Sequence, residues 1–301
     1  MSFSSDTVVI LGLGLIGGSL ARSLRASGFS QRFIGYGHRA PSLRRGVELG
    51  VIDDFTLDLD DALGQADILV ICTPTLVAAR MLRDILPGLA QRSGAPVITD
   101  VASVKGSLRE AAVEAVGGVP PNLVLGHPIA GSERSGVDAS SAELFVNHRV
   151  ILTPEEGNDP AAVELIRAMW ASTGAEVDTM TVTEHDAVLA ATSHLPHVLA
   201  YALVDALAQS EDSEDIFRFA AGGFRDFTRI ASSDPAMWRD IAIANKKALL
   251  TSIDDFSRHL ALLRAAVQAE DAEQLQATFS RAKRARDEFA TMLAARGQRK
   301  S

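Results

Sequence analysis

The sequence has one cysteine among 301 residues. That excludes an intramolecular disulfide framework and a Cys-rich zinc site. It also lacks an excess of positive charge: 29 Lys and Arg stand against 38 Asp and Glu, a net −9. A balance of that sign argues against nucleic acid or an anionic membrane surface as a partner. The opening residues MSFSSD carry no base, so no secretory signal is read there. The apolar run at 7–20 is too short to span a membrane, and Gly12, Gly14, Gly17 and Gly18 interrupt it. The expected location is the cytoplasm. There is no internal repeat and no low-complexity segment.

What is present is a folding chain. Hydrophobic residues make up 47%, too many for disorder. The length exceeds the roughly 100–200 residues of one typical domain. Short, β-branched, apolar runs lie at 7–11, 33–36, 67–72, 96–99, 123–125 and 149–152. They hardly alternate, as strands buried on both faces of a parallel sheet do. Helical patterns separate them at 16–26, 42–49, 76–90 and 104–115. The alternation predicts an α/β, Rossmann-type doubly wound, mostly parallel sheet. Residues 177–180 read as a last edge strand. From Thr183, with Asp186 three residues on, the pattern turns helical, at 185–209, 214–221, 235–265 and 271–296. The predicted division is a cofactor domain at 1–180 and an all-helical domain at 181–301. Within the second, residues 218–247 hold six basic and three acidic side chains, a local excess against the acidic average.

The first strand runs straight into Gly12-Leu13-Gly14-Leu15-Ile16-Gly17, which opens a helix. A GxGxxG in that context is a dinucleotide fingerprint. Gly12 allows the tight turn, Gly14 the approach of a pyrophosphate and Gly17 close helix packing. Leu15 and Ile16 place backbone N–H groups at the helix start. An NAD loop usually carries an acid about 20 residues on, but here that place holds Gly37, followed by His38 and Arg39. Arg39 with His38 can receive a 2′-phosphate, which tilts the expectation from NAD toward NADP; a solvated loop arginine is the bland alternative. Thr73 and Pro74, after the strand that ends at Cys72, join the candidate cofactor residues. Cys72 itself reads as a buried, inert thiol.

Four further segments stand out: TDVASVK at 99–105, GHPIAGSE at 126–133, SHLPH at 193–197 and GGFRDFTRI at 222–230. His127, after a short strand at the ligand-binding end of the sheet, is the candidate general base. Ser103 is placed at a helix start, where serine is a preferred N-cap. Lys105 reads either as a surface lysine or as a charge near the cofactor. Arg229 can grip a carboxylate with two hydrogen bonds, and Arg225 is a second candidate. Asp226 reads as a group that orients an arginine. His194 and His197 are three apart, but no third ligand accompanies them, so no metal is expected. Glu133 can gate the site or pair with an arginine, and Trp238 can wall it. His38 apart, no role falls to His148, His185 or His259.

With the glycine loop, these segments resemble the prephenate/arogenate (cyclohexadienyl) dehydrogenase family of tyrosine biosynthesis. The resemblance covers nearly the whole chain. It implies an NAD(P)-binding domain followed by a helical domain that forms a homodimer. It implies oxidative decarboxylation of prephenate to 4-hydroxyphenylpyruvate and CO2, or of arogenate to tyrosine, with hydride passed to NAD(P)+. On this reading the partner is a small dianion, and neither nucleic acid nor membrane. By resemblance His127 is the catalytic histidine, Ser103 bonds the substrate hydroxyl and orients the base, His197 meets the side-chain carboxylate, and Arg229 holds the carboxylate that is lost. Two other readings share the layout: a β-hydroxyacid or pyrroline-carboxylate type dehydrogenase, and a cofactor-binding protein without catalysis.

Overall fold

The computed structural model describes residues 5–298 except 93, 132 and 133, with side chains within the helices described to 294. Six parallel strands form the main sheet: β1 (Ser5–Leu11), β2 (Ser30–Tyr36), β3 (Asp54–Thr56), β4 (Ile68–Ile71), β5 (Val97–Asp100) and β6 (Leu123–Val124). Their order is β3-β2-β1-β4-β5-β6. Helices connect them as βα units: α1 (Leu15–Ala26), α2 (Ala40–Glu48), α3 (Leu59–Gln65), α4 (Thr75–Leu89) and α5 (Gly106–Val116). In β1, Val8 and Ile10 pack into one core, with Leu20, Leu24 and Trp170. Val9 and Leu11 pack into the opposite core, with Leu82 and Leu108. Burial on both faces explains why β1 shows no polar alternation. The chain order reverses between β1 and β4, which opens a crevice at the carboxyl ends of these strands.

A second sheet follows. In it β7 (Gly126–Ile129) runs antiparallel to β8 (Arg149–Leu152), which is parallel to β9 (Glu176–Thr179). Between β8 and β9 lies α6 (Pro160–Ser172), capped by Asp159. His127 is thus inside a strand of this small sheet, where the sequence suggested a loop after a parallel strand. The physical reason is pairing: His127 sits opposite Ile151 in the β7–β8 register, although Pro128 weakens the local strand signal.

The helical region begins with α7 (Val182–Leu189), followed by a π-helical turn (Ala190–His194) and α8 (Leu195–Ala208). Its cap is Thr181, two residues before the expected Thr183, because Thr181 and Glu184 close a reciprocal capping box. The stretch Val182–Ala208 is apolar and long enough to cross a membrane by length and composition alone, a weak signal that helices of globular cores also give. Then come α9 (Ser213–Arg218), α10 (Gly222–Thr228), a 3₁₀ turn (Arg229–Ser232) and α11 (Pro235–Ala244). One long helix was expected at 235–265. Instead α11 stops at Asn245, and α12 (Lys246–Gln268) starts anew before α13 (Ala272–Gln298). The chain divides into two compact units, Met1–Leu249 and Leu250–Ser301. The second unit exposes apolar side chains along its helices, among them Leu262, Val267, Phe279 and Met292.

Candidate active site

The glycine loop sits at the carboxyl end of β1, between β2 and β4: Gly12 N–H donates to Tyr36 O at 2.9 Å, and Cys72 N–H to Leu11 O at 2.8 Å. Gly12 has φ +99°, and a Cβ there would lie 2.9 Å from Thr73 Cγ2. A Cβ on Gly17 would lie 2.6 Å from Gly12 O. Gly14, by contrast, faces open space. The loop therefore leaves a cradle in front of Gly14, where the unpaired N–H groups of Leu15, Ile16 and Gly17 begin α1. Pro74 caps α4 beside it. His38 and Arg39 follow β2 and are exposed, and Arg39 holds the cap position of α2. Burial pushes the Cys72 thiol far above its usual range, which suits a packing residue.

Across the sheet end lies a buried polar cluster. Asp100, the last residue of β5, and Lys105 form an ion pair in which both side chains are fully buried. Lys105 Nζ also donates to Gly126 O at 2.6 Å. Asp100 accepts from Gly126 N–H at 3.1 Å and from Ala102 N–H at 2.8 Å. This settles the two options left for Lys105 against the surface. It also moves Ser103: α5 starts at Gly106 with Lys105 at its cap, so Ser103 is in the preceding turn, half-buried, and is not an N-cap.

His127, next to Gly126, is nearly buried. Its Nδ1 lies 2.9 Å from His185 Nε2. His185 Nδ1 lies 2.8 Å from Asp186 Oδ1. Asp186 in turn accepts from Lys105 N–H at 2.9 Å and Gly106 N–H at 2.8 Å. Burial alone raises the Asp186 carboxyl, but the bonds from His185 and from the two N–H groups outweigh it and hold it below the usual range. An ionised carboxylate only accepts. His185 Nδ1 therefore carries the hydrogen, His185 Nε2 accepts, and His127 Nδ1 donates. His127 Nε2 is left with a bare lone pair. Burial, then the neighbouring His185, Lys105 and His194, push His127 well below the ordinary imidazole value, so it stays neutral. Such an imidazole can accept a proton.

A second group of rings adjoins it. His194 is buried in the π turn, with Nδ1 3.0 Å from Asn245 Nδ2. Burial drops its pKa to about 4. His197 Nδ1 donates to Ser193 O at 2.9 Å, and its ring stacks on Trp238 at 3.5 Å and 19°. Arg229 opens the 3₁₀ turn and is exposed, near enough to His197 to lower its pKa, although burial contributes more. Arg225 pairs with Asp226 at 3.1 Å on the exposed face of α10. Asp226 thus orients Arg225. Glu133 lies outside the described residues. No group of side chains suited to a metal is found among the described residues.

Three functional candidates escaped the sequence reading: His185, Asp186 and Asp100. His185 and Asp186 look like an ordinary first helical turn. Only the fold shows that they meet residues about 60 or 80 positions away. For Lys105 the sequence alone leaves two roles open.

Known proteins resemble this arrangement over nearly its whole length. The family described as prephenate dehydrogenase, nucleotide-binding domain, matches residues 20–179, and that described as prephenate dehydrogenase, dimerization domain, matches 181–281. Prephenate dehydrogenase of Bacillus subtilis (strain 168) is 39% identical over 294 residues, which cover 95% of this chain and 77% of that protein. The crystal structure of prephenate dehydrogenase from A. aeolicus in complex with hydroxyphenyl propionate and NAD+ superposes with TM-score 0.87 at 37% identity, covering 96% of this chain and all of that one. The Synechocystis arogenate dehydrogenase structure gives TM-score 0.79 at 32% identity, covering 94% and 99%.

Proposed function

The chain belongs to the prephenate dehydrogenase family, and on that premise we propose that it oxidatively decarboxylates prephenate to 4-hydroxyphenylpyruvate and CO2, with His127 as the base. One observation carries this reading: the Asp186–His185–His127 chain leaves a neutral imidazole with its Nε2 lone pair free. His127 takes the ring hydroxyl's proton as hydride leaves the same carbon. The bond to the ring carboxylate then breaks, its electrons aromatise the ring, and the proton can return to the phenolate oxygen. Gly12, Gly14, Leu15, Ile16 and Gly17, with Thr73 and Pro74 alongside, would hold NAD(P)+, which would supply the hydride acceptor. His38 and Arg39 incline the loop toward NADP+, since no acid stands at Gly37. Ser103 bonds the substrate hydroxyl, and Arg229 takes the departing carboxylate, with Arg225 as its understudy. His197 meets the side-chain carboxylate and Trp238 walls that end, and Glu133 either gates access or pairs with an arginine. Residues 1–180 serve the cofactor, and residues 181–301 serve the substrate and a homodimer.

A second reading, arogenate as substrate, has an observation of its own. His197 Nδ1 donates to Ser193 O, so its Nε2 is an acceptor while the ring is neutral. An acceptor suits the ammonium of arogenate. The keto acid side chain of prephenate needs a donor there, hence a protonated ring.

The assay mixes the protein with prephenate or arogenate and either cofactor and follows reduced-nicotinamide absorbance. Turnover with prephenate is the expected result. No signal with either substrate sinks the proposal, and the better cofactor decides the Gly37 and Arg39 argument.

A further inference from the structure

The reading of His127 as base leaves unexplained a fully buried lysine with a fully buried aspartate beside it. Taking both charges from water is costly unless their attraction returns it, so the pair is an expensive way to fill space. Apart from the Ala102 N–H that Asp100 accepts, its contacts lead to one place. Lys105 Nζ holds Gly126 O, and Asp100 holds Gly126 N–H, so both backbone groups of the residue before His127 are clamped. The backbone N–H of Lys105 holds Asp186, which holds His185, which holds His127 Nδ1. The base is therefore fixed from two sides, through its backbone and through its ring, and both routes begin at Lys105.

We infer that Lys105, with Asp100, is the positioning residue of the reaction, acting through His127 and touching neither substrate nor cofactor. Its cation also belongs to the field at the base. The charged and titratable groups facing His127 are Lys105 and Asp100 from the β5–α5 turn, His185 and Asp186 from α7, and His194 from the π turn. Among them Lys105 and the two histidines favour the neutral ring.

The inference rests on the base assignment, and its test separates the two. The variant is the neutral double substitution Asp100→Asn with Lys105→Met, made in the wild-type and His127→Asn backgrounds. In the wild-type background, kcat should fall about 30-fold or more. KM for prephenate and NAD+ should stay within about threefold, and the acid limb of the kcat–pH profile should move to higher pH, since a cation near the base is gone. In the His127→Asn background the same change should cost almost nothing further. An equal loss in both backgrounds, or an unmoved limb, overturns the positioning role. Near-normal turnover of His127→Asn alone instead sinks the base assignment. If the double variant does not fold, Asp100→Asn decides: the unopposed cation must move the limb to lower pH, and a move upward overturns the inference.

Discussion

At Asp100, Lys105 and His127, and again at His185 and Asp186, the ionisable groups are buried or nearly so and bonded to one another. Between residues 213 and 229 they lie in water: Arg225 and Asp226 keep 80% and 72% of their side-chain surface exposed. The two regions suit different tasks. A proton moves efficiently only between atoms held at hydrogen-bond distance, so a base gains from a rigid, dry setting. A carboxylate must arrive from solvent, so its receiving arginine gains from access. Exposed pairs such as Arg225–Asp226 are worth only about 0–1 kcal/mol, and exchanging such a partner costs little. The buried cluster is the opposite case, since removing one member strands a charge, typically at about 3–5 kcal/mol.

The largest expected effect breaks the buried side of this contrast. His127→Asn should lower kcat by about 10³-fold and leave the NAD+ dissociation constant unchanged by fluorescence titration. A rate within tenfold of wild type would remove His127 as the base. Next in size is Asp186→Asn. The amide no longer requires a hydrogen on His185 Nδ1, so the tautomer of His127 is no longer fixed. We expect about a 10²-fold loss of kcat with the substrate KM little changed. Full activity there would mean that the relay does not organise the base.

The exposed side should respond in binding. Arg229→Ala should raise KM for prephenate about 10–100-fold, the ~1.5–3 kcal/mol of a charge-assisted hydrogen bond, at nearly constant kcat. Arg225→Ala should stay within twofold. The reverse ranking would pass the carboxylate to Arg225. The smallest effect sharpens the contrast at its seam, His197. Burial lowers its pKa, and the bond to Ser193 opposes this in part. If a carboxylate binds the protonated ring, that ring's pKa is raised in the complex. Affinity for prephenate is then complete below the free-enzyme pKa and falls as pH rises through the window between the two values. Affinity for arogenate, by way of its ammonium, should show the opposite trend. Steady-state KM against pH for both substrates checks this, and parallel trends would take His197 out of the side-chain contact.

The parts of the molecule legible in the sequence are those whose signals are local. The βα alternation and the glycine loop are written in neighbouring residues, as is the helical turn of the chain after residue 180. Within the site, the HPIAG segment singled out His127. The geometry around it was not legible, because its partners are remote in sequence. His185 looked like any polar residue of a first helical turn, and Lys105 like a helix-start lysine. Strand β7 was hidden because a two-strand bridge across some 20 residues leaves little periodicity, and Pro128 reads as a break. Helix α6 had a visible signal, Asp159 before Pro160, which the strand-rich surroundings masked.

The buried region presents His127 as a neutral imidazole with its lone pair on Nε2. Nitrogen-15 spectra of protein labelled at histidine, assigned with His127→Asn and His185→Asn, read that directly at pH 7. The expected result is a protonated Nδ1 and a bare Nε2 for His127. An imidazolium, or a hydrogen on Nε2, would contradict it.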